Sequence, residues 1–434
     1  MVSVSDFSSP DKDSFVSPTG TFLPREVLVP LEADDKERTD ILVYEGNTVS
    51  EGEIIAKSRN ICVHSSVPGV VKEVVEFQCA NGKKGKCARI ALSGAFSYTG
   101  KKSEEKVWSD LDSNSLCFLL KDNGIVNTFE RGGAIISQIR KLRRRSNLIL
   151  AVRLFDDDPS REIENFLAAH YISQIIEGAG IIARAINAAA IVFAFNKKNK
   201  SLFNYNFDFL MENLDSATSI FTVPIDIRKY PCGTKHDIVS NTKKAFKDEI
   251  LSQFGRNDFF IDANTALKTY DAVVRGIPAI FEYVHVTGDC LNAAAIMKVR
   301  IGTPIRELVA QCGNFKKSLG KIIINGILCG HAISSLDLPI SRDVKSIEFL
   351  PKSAVSVDTC VTCVRCGNCR KICPVHLQPE LLYRLYRDGV TNTESLKTAL
   401  LCSECGLCNT VCPSRLPLCQ CIASLKNNWG NLKK

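Results

Sequence analysis

Between Phe22 and about Ser93 apolar residues come in short bursts broken by glycine-centred polar turns. "EGNTVSEGEIIAKS" alternates turn, short strand, turn and strand, and "VHSSVPGVVKEVV" gives strand, Pro-Gly turn, strand. From about residue 110 to 281 the pattern lengthens. Apolar residues in "REIENFLAAHYISQIIEGAGIIARAI" recur at helical spacing, and "SNLILAVRLF" is a continuous apolar strand behind a basic helix. "KSLFNYNFDFLMENL" and "DIVSNTKKAFKDEILSQF" add further elements, so this middle part predicts an α/β layout around a buried sheet. Residues 282–345 read as strand, turn, strand, helix, and a cysteine-rich tail follows over 355–425. Residues 1–21 are polar, with scattered Ser, Pro and Asp, and predict a flexible arm.

The chain has 434 residues, 45% of them hydrophobic and 24% charged, enough for several domains and a sizeable core. A net charge of +8 is too small and too dispersed to point to nucleic acid. The run "RKLRRR", Arg140 to Arg145, is dense enough to weigh: a solvated helix face, or a dock for an acidic partner or anionic lipid. The most apolar stretch, "GIIARAINAAAIVFAF", is interrupted by Arg184 and Asn187 and falls short of a spanning helix. Nineteen cysteines raise the idea of a secreted disulfide protein. The length, the crowding of more than half of them from Cys360 onward, and an N-terminus without an apolar signal core argue for a reducing cytoplasm.

The cysteines carry the chemistry. Cys363, Cys366, Cys369 and Cys373 are spaced by two, two and three residues and closed by Pro374; Cys402, Cys405, Cys408 and Cys412 repeat the pattern and end on Pro413. Thiolates suit iron–sulfur clusters and zinc alike. Structural zinc sites pair cysteines two by two across a spacer, whereas three-plus-one followed by proline is the ferredoxin signature, in which the fourth cysteine serves the neighbouring cluster. The assignment is therefore two [4Fe-4S] clusters: Cys363, Cys366, Cys369 and Cys412 on one, and Cys402, Cys405, Cys408 and Cys373 on the other. Cys360, Cys419 and Cys421 fall outside the repeat and are read as spare thiols. Between the motifs, Pro379 opens a helix expected to bury Leu382, Leu385 and Tyr386 and to stop at Gly389; Thr391 and Glu394 form a capping box for the next. Arg365, Arg370, Lys371 and Arg415 flank the ligands as solvated charge that also bears on cluster potential. The histidines are scattered and suggest no metal site.

The order of these parts resembles the RnfC family of the Rnf (Rsx) ion-translocating oxidoreductase complex, a relative of the flavin-binding subunit of respiratory complex I. Beside the cluster motifs, the likeness rests on "VYEGNTVSEGEIIAKS", "VHSSVPGVVKEV", "RKYPCGTKHDIV", "NTALKTYDAVVRGIP", "VTGDCLN...VRIGTPIREL" and "CPSRLPL". It implies a multidomain α/β fold: a barrel-sandwich, lipoyl-like module over 22–100, a flavin/NADH-type α/β domain over 110–281, a β-grasp (SLBB) insert over 282–345, and a two-cluster ferredoxin-like helical domain over 355–425. A lipoyl-type carrier needs a lysine at its hairpin tip, and this tip offers only Ser65, Ser66 and Val67, so the module is read as structural. The resemblance further implies a peripheral subunit on the cytoplasmic face of the inner membrane, partnered by the other members of the complex, ferredoxin and NAD(H), in a translocase moving Na⁺ or H⁺.

The flavin loop departs from the family pattern. After "GIV", relatives carry Gly-x-Gly-Gly-x-Gly-Phe-Pro; here Gly132 and Gly133 survive, but Ile135, Ile136 and Ser137 stand where Gly-Phe-Pro is usual. Relatives' Glu-Cys-Glu-Pro becomes "DDDP", keeping charge at Asp156 and Asp158 on shorter side chains. Gly132, Gly133, Asp156 and Asp158 are thus a degenerate cofactor site, and FMN and NAD(H) binding is expected to be weakened or lost. Two other readings are open: a scaffold or assembly subunit, and a free-standing soluble iron–sulfur dehydrogenase.

Overall fold

The structure is a computed structural model that describes residues 2–3, 23–32, 38–98, 105–130, 132–142, 145–198, 207–214, 218–355, 360–390 and 397–429. Nearly all of the 1–21 arm, the Thr391–Glu394 box and Arg143 and Arg144 of the basic run lie outside these residues. The described start of the arm corrects its reading as wholly loose: Val2–Ser3 is a strand, paired antiparallel with Lys229–Tyr230.

The N-terminal module packs two sheets. Strands Glu26–Pro30, Lys84–Leu92, Gly69–Gln78 and Thr48–Val49 form one, in that spatial order, and Asp40–Ile41, Ile54–Lys57 and Cys62–His64 the other. Alternation turns Val27, Val29, Ile55, Val63, Val71 and Ile90 inward. The hairpin tip is itself buried: Ser66 donates its hydroxyl to the Ile301 carbonyl at 2.6 Å, and Arg300 donates to the Ser66 carbonyl and to Glu51. A tip used as an interdomain contact cannot swing as a carrier arm.

The middle domain is a four-stranded parallel sheet in the order Ser219–Ile225, Ala190–Asn196, Ile149–Arg153, Phe259–Asp262. Ile149–Arg153 and Ala190–Asn196 are buried at every position, as strands covered by helices on both faces must be. Helices Ser113–Asp122, Ile135–Leu142, Ile163–His170, Ile172–Ile186 and Ala263–Val273 supply the larger core on one face, and Lys235–Ala245 and Glu249–Ser252 pack on the other. No single helix among the described residues is long and apolar enough to cross a membrane; Ile163–His170 and Ile172–Ile186 are bent by 100° and belong to this core. Arg140 and Arg145, at the two ends of the basic run, are tied to Asn60 Oδ1 and the Asn257 carbonyl.

A mixed five-stranded sheet follows, ordered Ala295–Arg300, Phe281–Thr287, Ser346–Pro351, Leu319–Ile324, His331–Ile333, with helix Ile305–Gln311 against it. Its central strand, Ser346–Pro351, lies beyond the boundary at 345 read from the sequence. That strand pairs parallel with Phe281–Thr287 and antiparallel with Leu319–Ile324, a long-range closure that local pattern does not reveal. Four helices, Asn368–Ile372, Pro379–Arg387, Leu407–Thr410 and Leu418–Trp429, build the tail.

Candidate metal centre and cofactor cleft

The two cysteine motifs fold alike. Arg365 and Glu404, each two residues after the first cysteine of its motif, have φ of 53° and 59°. Gly367 and Gly406, each just after the second, have φ of 77° and 73° and precede the short helices Asn368–Ile372 and Leu407–Thr410. His376 and Arg415, each three beyond the last cysteine, have φ of 54° and 53°. Left-handed backbone at a bulky residue is uncommon; three matched pairs define a repeated loop that turns successive thiols inward. Backbone amides also point at sulfur, Leu377 N–H at Cys373 Sγ (3.3 Å) and Glu404 N–H at Cys402 Sγ (3.4 Å).

The thiols divide between apolar seats. Cys363, Cys369 and Cys412 share one with Leu416 and Leu418, which also takes in Cys408 and Cys419. Cys373 sits instead with Cys402, among Leu377, Leu382, Ala399 and Ile422. The last cysteine of each motif is therefore placed with the opposite motif, while Cys408 stands apart from its expected partners. Cys366 is exposed and Cys405 buried. Burial pushes the Cys402 thiol up to about 12 and, with Glu380 alongside, the Cys369 thiol up to about 11. Desolvated thiols like these ionise when a metal takes the sulfur. Among the described residues no three His, Cys, Asp or Glu side chains converge as they would on a single ion; a cluster of several irons, which spreads its ligands, is the better match to this donor set.

Of the outlying cysteines, Cys360 points its thiol at the Arg415 carbonyl (3.0 Å), while Cys419 is hydrogen-bonded to Cys408. Cys419 thus touches a predicted ligand. The helix from Pro379 buries Leu382, but Tyr386 is exposed and Leu385 only half-buried, because Tyr383, one turn on from Pro379, takes the inward position. Arg370 is paired with Glu380 and so is not merely solvated charge.

Sequence reasoning missed the contact that joins the tail to the middle domain. Tyr230, 2% exposed, donates its hydroxyl to the Cys405 carbonyl at 2.6 Å, and its oxygen lies 3.2 Å from Cys329 Sγ. The Leu328 carbonyl meets Gly406 so closely that a Cβ there would stand 2.3 Å from it. Only "YPCG" hinted at this, and its partner is 175 residues away.

The four residues of the degenerate cofactor site are not brought together. Gly133 and Ala134 pair with Asn127 and Val126, zipping the glycine turn onto "GIV". Ile135 and Ile136 enter the main core. Gly132 faces Asp343, whose Cβ would lie 2.5 Å from an added Cβ. Asp156 accepts from the Glu164 and Asn165 amides (3.0 and 3.2 Å) at the start of Ile163–His170, and burial raises its carboxyl. Asp158, fully buried, accepts from the Leu328 and Cys329 amides (2.9 and 2.8 Å) and from Ser160. Both carboxylates hold backbone, and Asp158 holds the very loop that rests on the second cysteine motif.

At the C-terminal ends of the sheet strands, where open α/β folds take ligands, this chain has an ion network. Lys345 Nζ bonds both Glu164 and Asp262, all essentially inaccessible. Thr128 and Thr265 donate to Asp262, and the Asn264 amide to Glu164. Burial works to raise Asp262, but Lys345 outweighs it and holds this carboxyl below the usual range. Glu164 goes the other way, raised by burial and then by the Asp262 charge.

Comparison with known proteins fits this arrangement. The RnfC barrel sandwich hybrid domain matches residues 17–94, and the 4Fe-4S dicluster domain matches residues 359–416. Over 381 residues the chain is 27% identical to a subunit of the proton-translocating ferredoxin:NAD(+) oxidoreductase complex of Clostridium ljungdahlii, covering 83% of this chain and 78% of that protein. The chain is a homologue of the RnfC subunit of Rnf complexes. Its counterpart in the Na(+)-translocating ferredoxin:NAD(+) oxidoreductase complex of Acetobacterium woodii is 22% identical, covering 82% and 80% of the two chains. The counterpart in the ion-translocating oxidoreductase complex of Rhodobacter capsulatus is 25% identical, covering 84% and 70%. A chain of an NAD+-reducing [NiFe]-hydrogenase in the H2-reduced state is 12% identical with a TM-score of 0.48; the match covers 74% of this chain and 63%, less than two thirds, of that one. With these RnfC homologues in view, the paired motifs are the iron–sulfur part of the chain, and the α/β domain is the part that has changed.

Proposed function

We propose that this chain is the peripheral electron-transfer subunit of a membrane-bound complex exchanging electrons between ferredoxin and NAD and coupling that exchange to movement of Na⁺ or H⁺. The observation that carries the reading is the matched backbone of the two cysteine motifs, with Cys373 and Cys412 each seated with the opposite motif. The names of the homologues supply the reaction. The five-stranded sheet with its helix is taken as the SLBB-like β-grasp, and attachment to the cytoplasmic face of the membrane is through partner subunits.

Two [4Fe-4S] clusters, when bound, supply one-electron transfer. Cys363, Cys366, Cys369 and Cys412 would hold the first and Cys402, Cys405, Cys408 and Cys373 the second. Exposed Cys366 leaves the first open to a partner protein, while Tyr230, Leu328 and Leu407 exclude water on the Cys405 side of the second. Lys426, bonded to the Cys402 carbonyl at 2.9 Å and to Glu404, clamps the second loop.

The α/β residues do not fit FMN or a dinucleotide. Asp156 and Asp158 are committed to backbone amides, and the cavity beside Gly132 offers about 40 Å³, against roughly 300–1,000 Å³ for small-molecule sites. This favours the middle domain as a platform that seats the clusters, with the nicotinamide handled elsewhere in the complex. The anaerobically purified chain is expected to carry no stoichiometric flavin, to be reduced by reduced ferredoxin, and to stay oxidised with NADH alone. Tight FMN bleached by NADH would overturn the platform reading.

A further inference from the structure

The N-terminal hairpin, the Gly132 turn and the segment Ser341–Asp343 meet around one narrow cavity, outside the cysteine motifs and lined by neither Asp156 nor Asp158. Arg342 lines it and is only 6% exposed. Its Nη1 donates to the Pro30 carbonyl at 3.3 Å, but Nε and Nη2 find no hydrogen-bond partner among the described residues. The neighbouring carboxylates do not answer them. Glu282 is bonded to Lys268, and Asp343 accepts from Asn81 and Ser341. Lys84 and Lys86 of the hairpin add positive charge at the rim, opposed by Glu32.

A buried guanidinium with two open N–H groups is costly. Nε and Nη2 form one edge of the guanidinium fork, the edge that a carboxylate or phosphate meets side-on with two parallel hydrogen bonds. The cavity's 40 Å³ exceeds the roughly 10–15 Å³ that one water needs and leaves no room for a ring system. We propose that this cavity binds a small tetrahedral oxyanion, either free phosphate or the phosphate end of a small ester, held by Arg342 Nε and Nη2 where three domains meet. Bound there, the anion ties the N-terminal module and the glycine turn to the five-stranded domain.

The test is thermal unfolding of the full chain, clusters loaded, titrated with inorganic phosphate against chloride at matched ionic strength, with glycerol phosphate as the ester arm. A saturable rise of several degrees with phosphate is expected, absent in Arg342→Gln, which should keep the parent's iron content. A response to phosphate alone identifies the free anion; an equal response to the ester identifies a phosphate end. No saturable response in the parent, or an undiminished one in Arg342→Gln, overturns the proposal. Should Arg342→Gln not fold, ³¹P line broadening of phosphate by the parent decides: saturable broadening relieved by excess sulfate supports the site, and its absence sinks it.

Discussion

Lys345→Met is expected to destabilise the chain by about 3–5 kcal/mol, the range seen when one member of a buried ion group is removed. Lys345 is the cation between Glu164 and Asp262, and no water reaches any of the three. Without it two buried carboxylates face each other, and the threonine and amide donors around them were arranged for a charged Asp262. Size is not the issue, since methionine fills nearly the same volume. The pH dependence follows from the depressed Asp262 carboxyl. A group whose pKa is lower in the folded state adds stability above its unfolded value, and that contribution fades as pH falls through the folded one. The gap between parent and variant should therefore be widest near neutral pH and shrink in acid. Urea unfolding followed by tryptophan fluorescence at several pH values measures it; a loss under about 1 kcal/mol at neutral pH would show that the network is not structural.

Cys405→Ala and Cys366→Ala should each lose about half of the iron, since a cubane cluster needs its full ligand set. They should differ in what else they lose. Cys405 sits under Tyr230 and beside the loop pinned by Asp158, whereas Cys366 is on the surface. Losing the second cluster should loosen the seam between the tail and the α/β domain, and limited proteolysis should then release the tail from Cys405→Ala well before Cys366→Ala. Cys360→Ala should keep all the iron. Equal proteolysis of the two ligand variants would remove the argument that the second cluster is the inner one.

What the sequence made legible is what depends on neighbours along the chain. The cysteine–proline spacing marks both loops, the glycine-centred turns mark the N-terminal sheets, and apolar continuity marks the strands at Ile149–Arg153 and Ala190–Asn196. What escaped depends on distant partners. Asp156 and Asp158 look like cofactor acids by position, but the amides that occupy them come from a following helix and from a loop some 170 residues later. Ser346–Pro351 looks like linker until its pairing with Phe281–Thr287 is seen. Tyr230 carries no local sign that its hydroxyl ends on the Cys405 carbonyl. Ile135 and Ile136 were legible as an obstacle at the flavin loop; that they belong to the main core was not.

The measurement closest to the central claim is the spectrum of Cys412→Ser, prepared anaerobically and compared with the two single-motif variants. Cys412 is last in the second motif but sits with Cys363 and Cys369. The parent should hold about eight irons in two [4Fe-4S] clusters, and the electron paramagnetic resonance signal altered in Cys412→Ser should be the one altered in Cys366→Ala. Zinc in place of iron, or a Cys412→Ser change confined to the signal that Cys405→Ala alters, would contradict the account.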